Sequence, residues 1–148
     1  MKTVKEILKT KTQDIWSVGP KAKVLDALKM MADKQIGALL VMDDAGKMVG
    51  IITERDYARK VMLKGKTSQD THVEEIMTPA ADVYTLKPEN TVEECMVLMT
   101  GKHVRHLPVF DRDTFAGIVS IGDVVKSIIS EQETLIEHLS NYIAGKYV

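Results

Sequence analysis

The chain has 148 residues, 45% of them hydrophobic, enough to bury about two thirds of the surface its unfolded form would expose in a compact fold. Its 20 basic and 21 acidic residues exclude the cationic excess of a nucleic-acid binder and the acidic excess of a disordered tail, so a charged ligand must be met by local charge. Cys95 is the only cysteine, which excludes an intramolecular disulfide and any site built from several thiolates, and points to a reducing compartment.

The first eleven residues alternate lysines with single apolar residues and lack the apolar core of a signal peptide. No segment approaches the roughly 18 to 20 apolar residues needed to cross a bilayer, so a soluble, cytoplasmic protein is expected. Ile15-Trp16-Ser17 reads as a short strand. Val24, Leu25, Leu28, Met31 and Ala32 recur at helical spacing, which predicts an amphipathic helix from Lys23 to about Lys34. Leu39 to Met42 is short and uniformly apolar and reads as a buried strand. Asp43-Asp44-Ala45-Gly46 is turn chemistry, and Met48 to Ile52 is the returning strand of a hairpin. Thr53 then stands where a hydroxyl caps a helix running through Glu54, Arg55 and Asp56 to Lys64. Residues 66–72 are polar and aperiodic, the pattern of a linker. A short helix begun at Val73 is stopped at Thr78-Pro79, because the proline ring disfavours a helical residue before it.

The order then recurs: a strand at Val83 to Thr85, a helix from Thr91 to Gly101, and strands near Leu107 to Phe110 and Phe115 to Val119. A last helix begins at Ile121, where Val124, Val125, Ile128, Ile129, Leu135, Ile136, Leu139 and Ile143 hold a helical stripe almost to the C-terminus. Two readings of this long helix stand side by side: it reaches a second subunit, or it packs back on its own domain. The recurrence is a sequence repeat. A shift of 68 carries Ile15-Trp16-Ser17 onto Val83-Tyr84-Thr85, Pro20 onto Pro88 and Met31 onto Met99. After a one-residue deletion the shift is 67, and Gly50-Ile51-Ile52-Thr53 meets Gly117-Ile118-Val119-Ser120 while Asp56 meets Asp123. Val4 to Leu8 echoes Val73 to Met77. The repeats are taken as 1–65 and 73–148, joined by the linker 66–72.

Each repeat thus delivers a hydroxyl (Thr53, Ser120) from a strand to a helix start, with a carboxylate (Asp56, Asp123) three residues on. Unpaired amides at a helix start favour an anion such as phosphate, and a carboxylate accepts the paired hydroxyls of a ribose. The same spacing is also an ordinary capping arrangement, and the two roles can coexist.

The arrangement resembles the CBS domain family, named after cystathionine β-synthase, as a tandem pair or Bateman module. The matching stretches are Gly50 to Asp56, Arg105-His106-Leu107-Pro108-Val109 with Asp111, and Gly117 to Ser120 with Asp123. The resemblance implies an α+β fold of two βαββα units packed sheet to sheet with pseudo-twofold symmetry, leaving two clefts that hold adenosine-containing ligands. It implies that Asp56 and Asp123 bind ribose and that Thr53 and Ser120 approach phosphate or ribose. Backbone near Ile15-Trp16 and Val83-Tyr84 would meet adenine, and Arg105 and His106, before Leu107-Pro108, would meet phosphate. The first repeat has Gly37-Ala38 where those cations stand, so Arg55 is the expected substitute, with Gly122 at its counterpart position.

The function expected is a non-catalytic regulatory module for AMP, ADP, ATP or NAD, acting through conformational change or assembly. Its expected partners are the nucleotide, a second copy in a homodimer and a downstream protein. The alternatives are a dimerising scaffold whose clefts take another adenosine derivative such as S-adenosylmethionine, or a small enzyme using His106. Gly65-Lys66-Thr67 lacks the rest of a phosphate-binding loop, His103 and His106 lack a third metal ligand, and Cys95 falls on an apolar helix face.

Overall fold

The computed structural model describes residues 2–11 and 15–145; Met1, 12–14 and 146–148 lie outside it, so the first limit of the repeat 1–65 and the last of 73–148 fall outside the described residues. The elements are α1 (Val4–Lys9), β1 (Ser17–Val18), α2 (Val24–Lys34), β2 (Ala38–Met42), β3 (Met48–Thr53), α3 (Glu54–Lys60), α4 (Val73–Ile76), β4 (Thr78–Pro79), α5 (Val92–Lys102), β5 (His106–Asp111), β6 (Thr114–Ser120) and α6 (Ile121–Ile143). The chain is α+β and divides into two compact units, named here by their place in the sequence. The terminal unit joins α1 to everything from Tyr84 onward, and the central unit holds the residues between, up to Val83.

In the central unit β1 runs parallel to β2, β2 and β3 form the antiparallel hairpin, and β4 adds to the far edge of β3. Alternate residues Leu39, Val41 and Ile52 meet the α2 face made by Val24, Ala27 and Met31, and Val61, Val73 and Ile76 complete this core. In the terminal unit β5 and β6 form the equivalent hairpin. Leu107, Val109 and Val119 pack with Val92, Cys95 and Met99 of α5 and with Val4 and Ile7 of α1.

The leading helices cross between the sequence repeats, so the compact units do not coincide with them. Val4 N–H donates to Asn90 O at 2.8 Å and Lys5 N–H to Pro88 O at 2.9 Å. In the central unit Val73 N–H donates to Ala22 O at 2.8 Å and Glu74 N–H to Pro20 O at 3.0 Å. The motif glycines make room for this docking. A Cβ on Gly50 would lie 2.5 Å from Thr78 O, and one on Gly117, whose φ is +151°, would lie 2.8 Å from Leu8 Cδ2. The glycine preceding the Thr/Ser–Asp pair therefore serves the leading segment.

Two expectations are corrected, and two segments gain definition. No strand forms at Val83–Thr85, because a 3-10 turn at Ala80–Asp82 ends there; the parallel pairing comes at Leu86, whose N–H donates to Pro108 O at 2.9 Å. The helix after Thr53 ends at Lys60 and gives way to a 3-10 turn, Met62–Lys64, closed by Gly65 at φ +69°. Residues 66–72 are ordered against α2: Ser68 O and Thr71 O accept from Leu25 and Val24 N–H, and Thr71 is buried. α6 does not pack back along its length, since every residue from Ser130 to Ser140 is exposed.

Candidate functional site

Each strand-to-helix junction is a reciprocal capping box. In the central unit Thr53 N–H donates to Asp56 Oδ2 at 2.9 Å, Thr53 Oγ1 donates to the same oxygen at 3.1 Å, and Asp56 N–H returns a bond to Thr53 Oγ1 at 3.2 Å. In the terminal unit Ser120 N–H donates to Asp123 Oδ2 at 2.8 Å and Asp123 N–H to Ser120 Oγ at 3.2 Å. A further amide at each helix start is also engaged, Glu54 N–H with Gly37 O and Ile121 N–H with Arg105 O. Two of the first three amides of each helix are thus spent inside the fold, and the carboxylates are held at fixed orientation.

Each carboxylate also carries a lysine that the sequence reading left out. Lys60, one turn along α3, reaches Asp56 Oδ1 at 3.0 Å and donates to Ile76 O at 2.9 Å. Lys11, just beyond α1, reaches Asp123 Oδ2 at 2.8 Å and Ile118 O at 2.7 Å. Burial by itself raises the Asp123 pKa, but the hydrogen bonds from Lys11 and from the Ser120 backbone outweigh it and hold the carboxyl below its ordinary value. Position 127 is the repeat counterpart of Lys60. Ser127 there is buried with its Oγ unpaired, and too short to reach as a lysine does.

The predicted cations differ in burial. Arg55 and Arg105 are exposed at their helix start and strand start. His106 is half-buried on β5, opposite Ser120 on β6. Burial, with the nearby Lys11 charge, pushes its imidazole pKa below the ordinary value against a smaller opposing pull from Asp123, which disfavours the charged ring. Pro108 is buried on β5; Ala38, at the start of β2, pairs with Thr53, and Gly37 precedes it.

The predicted adenine-side segments lie just before the parallel edge. Ile15 is exposed and Trp16 half-buried ahead of β1, while Val83 and Tyr84 precede Leu86. Lys34 Nζ lies 4.2 Å from the centroid of Trp16, and Lys102 Nζ lies 5.3 Å from that of Tyr84. These pairs are related by the 68-residue shift and pin the segment to the end of α2 or α5 in both units. Beside Tyr84, Thr85, Leu86, Asn90, Val97, Leu98 and Lys102 line an open cavity of about 450 Å³ on α5.

The CBS domain model matches residues 4–63 and 73–130. Over 98% of its length the chain is 37% identical to the mitochondrial CBS domain-containing protein CBSX3 of Arabidopsis thaliana, covering 73% of that protein. A Burkholderia ambifaria protein with CBS domains is 50% identical, with a TM-score of 0.82 over 88% of this chain and 96% of that one. The CBS domain pair of MJ0100, solved with 5'-methylthioadenosine and S-adenosyl-L-methionine, is 27% identical with a TM-score of 0.76, covering 88% and 98% of the two chains. The two sequence repeats are therefore two CBS domains, and the chain belongs to the CBS domain family.

Proposed function

We propose that this chain is a non-catalytic regulatory module that binds an adenine nucleotide at each strand-to-helix junction, with Asp56 and Asp123 accepting the ribose hydroxyls. The observation that carries the reading is the duplicated, pre-oriented carboxylate. A carboxylate offers about four acceptor positions. The bonds above occupy three on Asp56 and two on Asp123, leaving capacity for a sugar hydroxyl and more of it in the terminal unit. Thr53 and Ser120 stand beside the ligand's phosphate side, and the backbone at Ile15-Trp16 and Val83-Tyr84 faces adenine. AMP, ADP, ATP and NAD share the end recognised. The complex of MJ0100 supports the adenosine class and makes a sulfonium-bearing adenosine the second reading.

The test is calorimetric titration with AMP, ATP and NAD on the wild type, Asp56→Ala and Asp123→Ala. Each substitution is expected to weaken one site by about 1.5–3 kcal/mol, the scale of a hydrogen bond to a charged group. Asp→Asn variants keep an oxygen for the cap and separate loss of binding from loss of fold. Unchanged affinity in both positions removes the ribose role.

The second part of the reading is assembly as a homodimer. The exposed stripe of α6, Val125, Ile129, Ile136, Leu139 and Ile143, follows heptad-like spacing and occurs on every copy, so an identical stripe satisfies it by two-fold symmetry. Leu139→Glu is expected to turn a dimer into a monomer by light scattering, and an unchanged mass in that variant refutes the α6 interface.

A further inference from the structure

We propose that Lys11 is the specificity-determining cation of the terminal unit, making its junction prefer phosphorylated adenosine ligands over neutral or sulfonium-bearing ones. The inference rests on the binding reading above and names the ligand class of that same site.

The sequence assigned the charge for phosphate in this unit to Arg105 and His106. His106 is half-buried in surroundings that disfavour its charged form, and Arg105 is exposed at the strand start, with its backbone carbonyl bonded to Ile121 N–H. Lys11 is the ammonium found against both the strand and the helix that make the junction. Its two bonds run to Ile118 O on β6 and to Asp123 Oδ2 on α6, the oxygen that also accepts Ser120 N–H. These use two of the three donors of an ammonium. The third is available beside Ser120, where the phosphate is placed.

The position of Lys11 is built into the fold. α1 is anchored by Val4 and Ile7 in the core and by its bonds to Pro88 O and Asn90 O, and Leu8 fills the space left by Gly117. A Cβ at 117 would press on the Leu8 side chain, in the segment just before Lys11. The repeat counterpart of Lys60 in this unit is Ser127, so a cation on the aspartate here has to come from another segment, and it comes from 112 positions away. An ammonium in this place attracts a 5'-phosphate, contributes nothing comparable to a neutral thioether and repels a sulfonium.

The test compares adenosine, AMP and S-adenosylmethionine by calorimetry on the full chain, as wild type, Lys11→Met and Lys11→Arg. Lys11→Met is expected to lower AMP affinity at one of two sites on the order of tenfold, without lowering adenosine affinity, and to narrow discrimination against S-adenosylmethionine. Lys11→Arg is expected to restore the preference for AMP. Equal changes for AMP and adenosine, in either direction, overturn the proposal and leave Lys11 as a plug or prop. If the wild type binds none of the three, the nucleotide reading itself falls, an outcome distinct from binding with an unaltered AMP preference.

Discussion

In the central unit the lysine on the junction aspartate belongs to the same helix, one turn on, and moves with it; in the terminal unit it arrives from a separate segment at the start of the chain. The central unit closes its sheet edge with β4, laid against Gly50 and Ile51, whereas the terminal unit lays helix α1 over Gly117. Its last helix has 23 residues against seven in α3. Two copies of one sequence pattern have kept the capping box and exchanged what surrounds it. A carboxylate held by its own backbone tolerates several sources of countercharge, and each source ties the site to a different part of the chain.

The largest effect is expected from the two glycines. Gly50→Ala sets a Cβ against the backbone oxygen of Thr78 and should cost about 3 kcal/mol, at the upper end for overpacking. Gly117→Ala meets the end of a flexible leucine but must also hold φ near +151°, and should cost about 1–2 kcal/mol. The molecule carries a reporter for each unit. Trp16, the only tryptophan, packs on the central core, and Cys95 lies in the terminal core. Burial, aided by the Asp123 charge, pushes the Cys95 thiol up to about 11, so it stays unreactive until its unit opens. In urea, Gly50→Ala should advance the Trp16 fluorescence transition more than Cys95 labelling, and Gly117→Ala the reverse. Identical shifts of both probes would break the comparison, because the units would then unfold as one.

Local chemistry was legible in the sequence and long-range delivery was not. Helices α2 and α5, both hairpins and the Thr53 and Ser120 caps follow from spacing within a dozen residues. The exchange of leading helices is invisible there, since Val4 and Val73 echo each other and fit either copy equally well. Lys11 lies 112 positions from its partner and, at the 69-residue offset of that echo, matches Ala80, so the repeat did not mark it. Lys34 and Lys102 did carry a signal, because they obey the same 68-residue shift as Trp16 and Tyr84. Applying the shift to charged positions as well as apolar ones finds both cation–aromatic pairs.

The smallest effect sharpens the comparison through pH. A carboxylate whose native pKa is depressed contributes stability in full above its unfolded value, 3.8 here, and loses it as pH falls through the native value. Lys11→Met removes the main hydrogen-bonding cause of that depression. The Asp123 side chain is 17% exposed and that of Lys11 35%, so solvent screening limits the loss to about 1 kcal/mol or less near neutrality. Wild type and variant should converge in urea midpoint as pH drops below 3.8, with Cys95 as the probe of the terminal unit. The gap should be greatest above that pH and nearly absent in the Trp16 signal. A gap that persists unchanged to low pH would mean that Lys11 stabilises through the packing of its stem and its bond to Ile118 O, leaving the charge on Asp123 out of the balance.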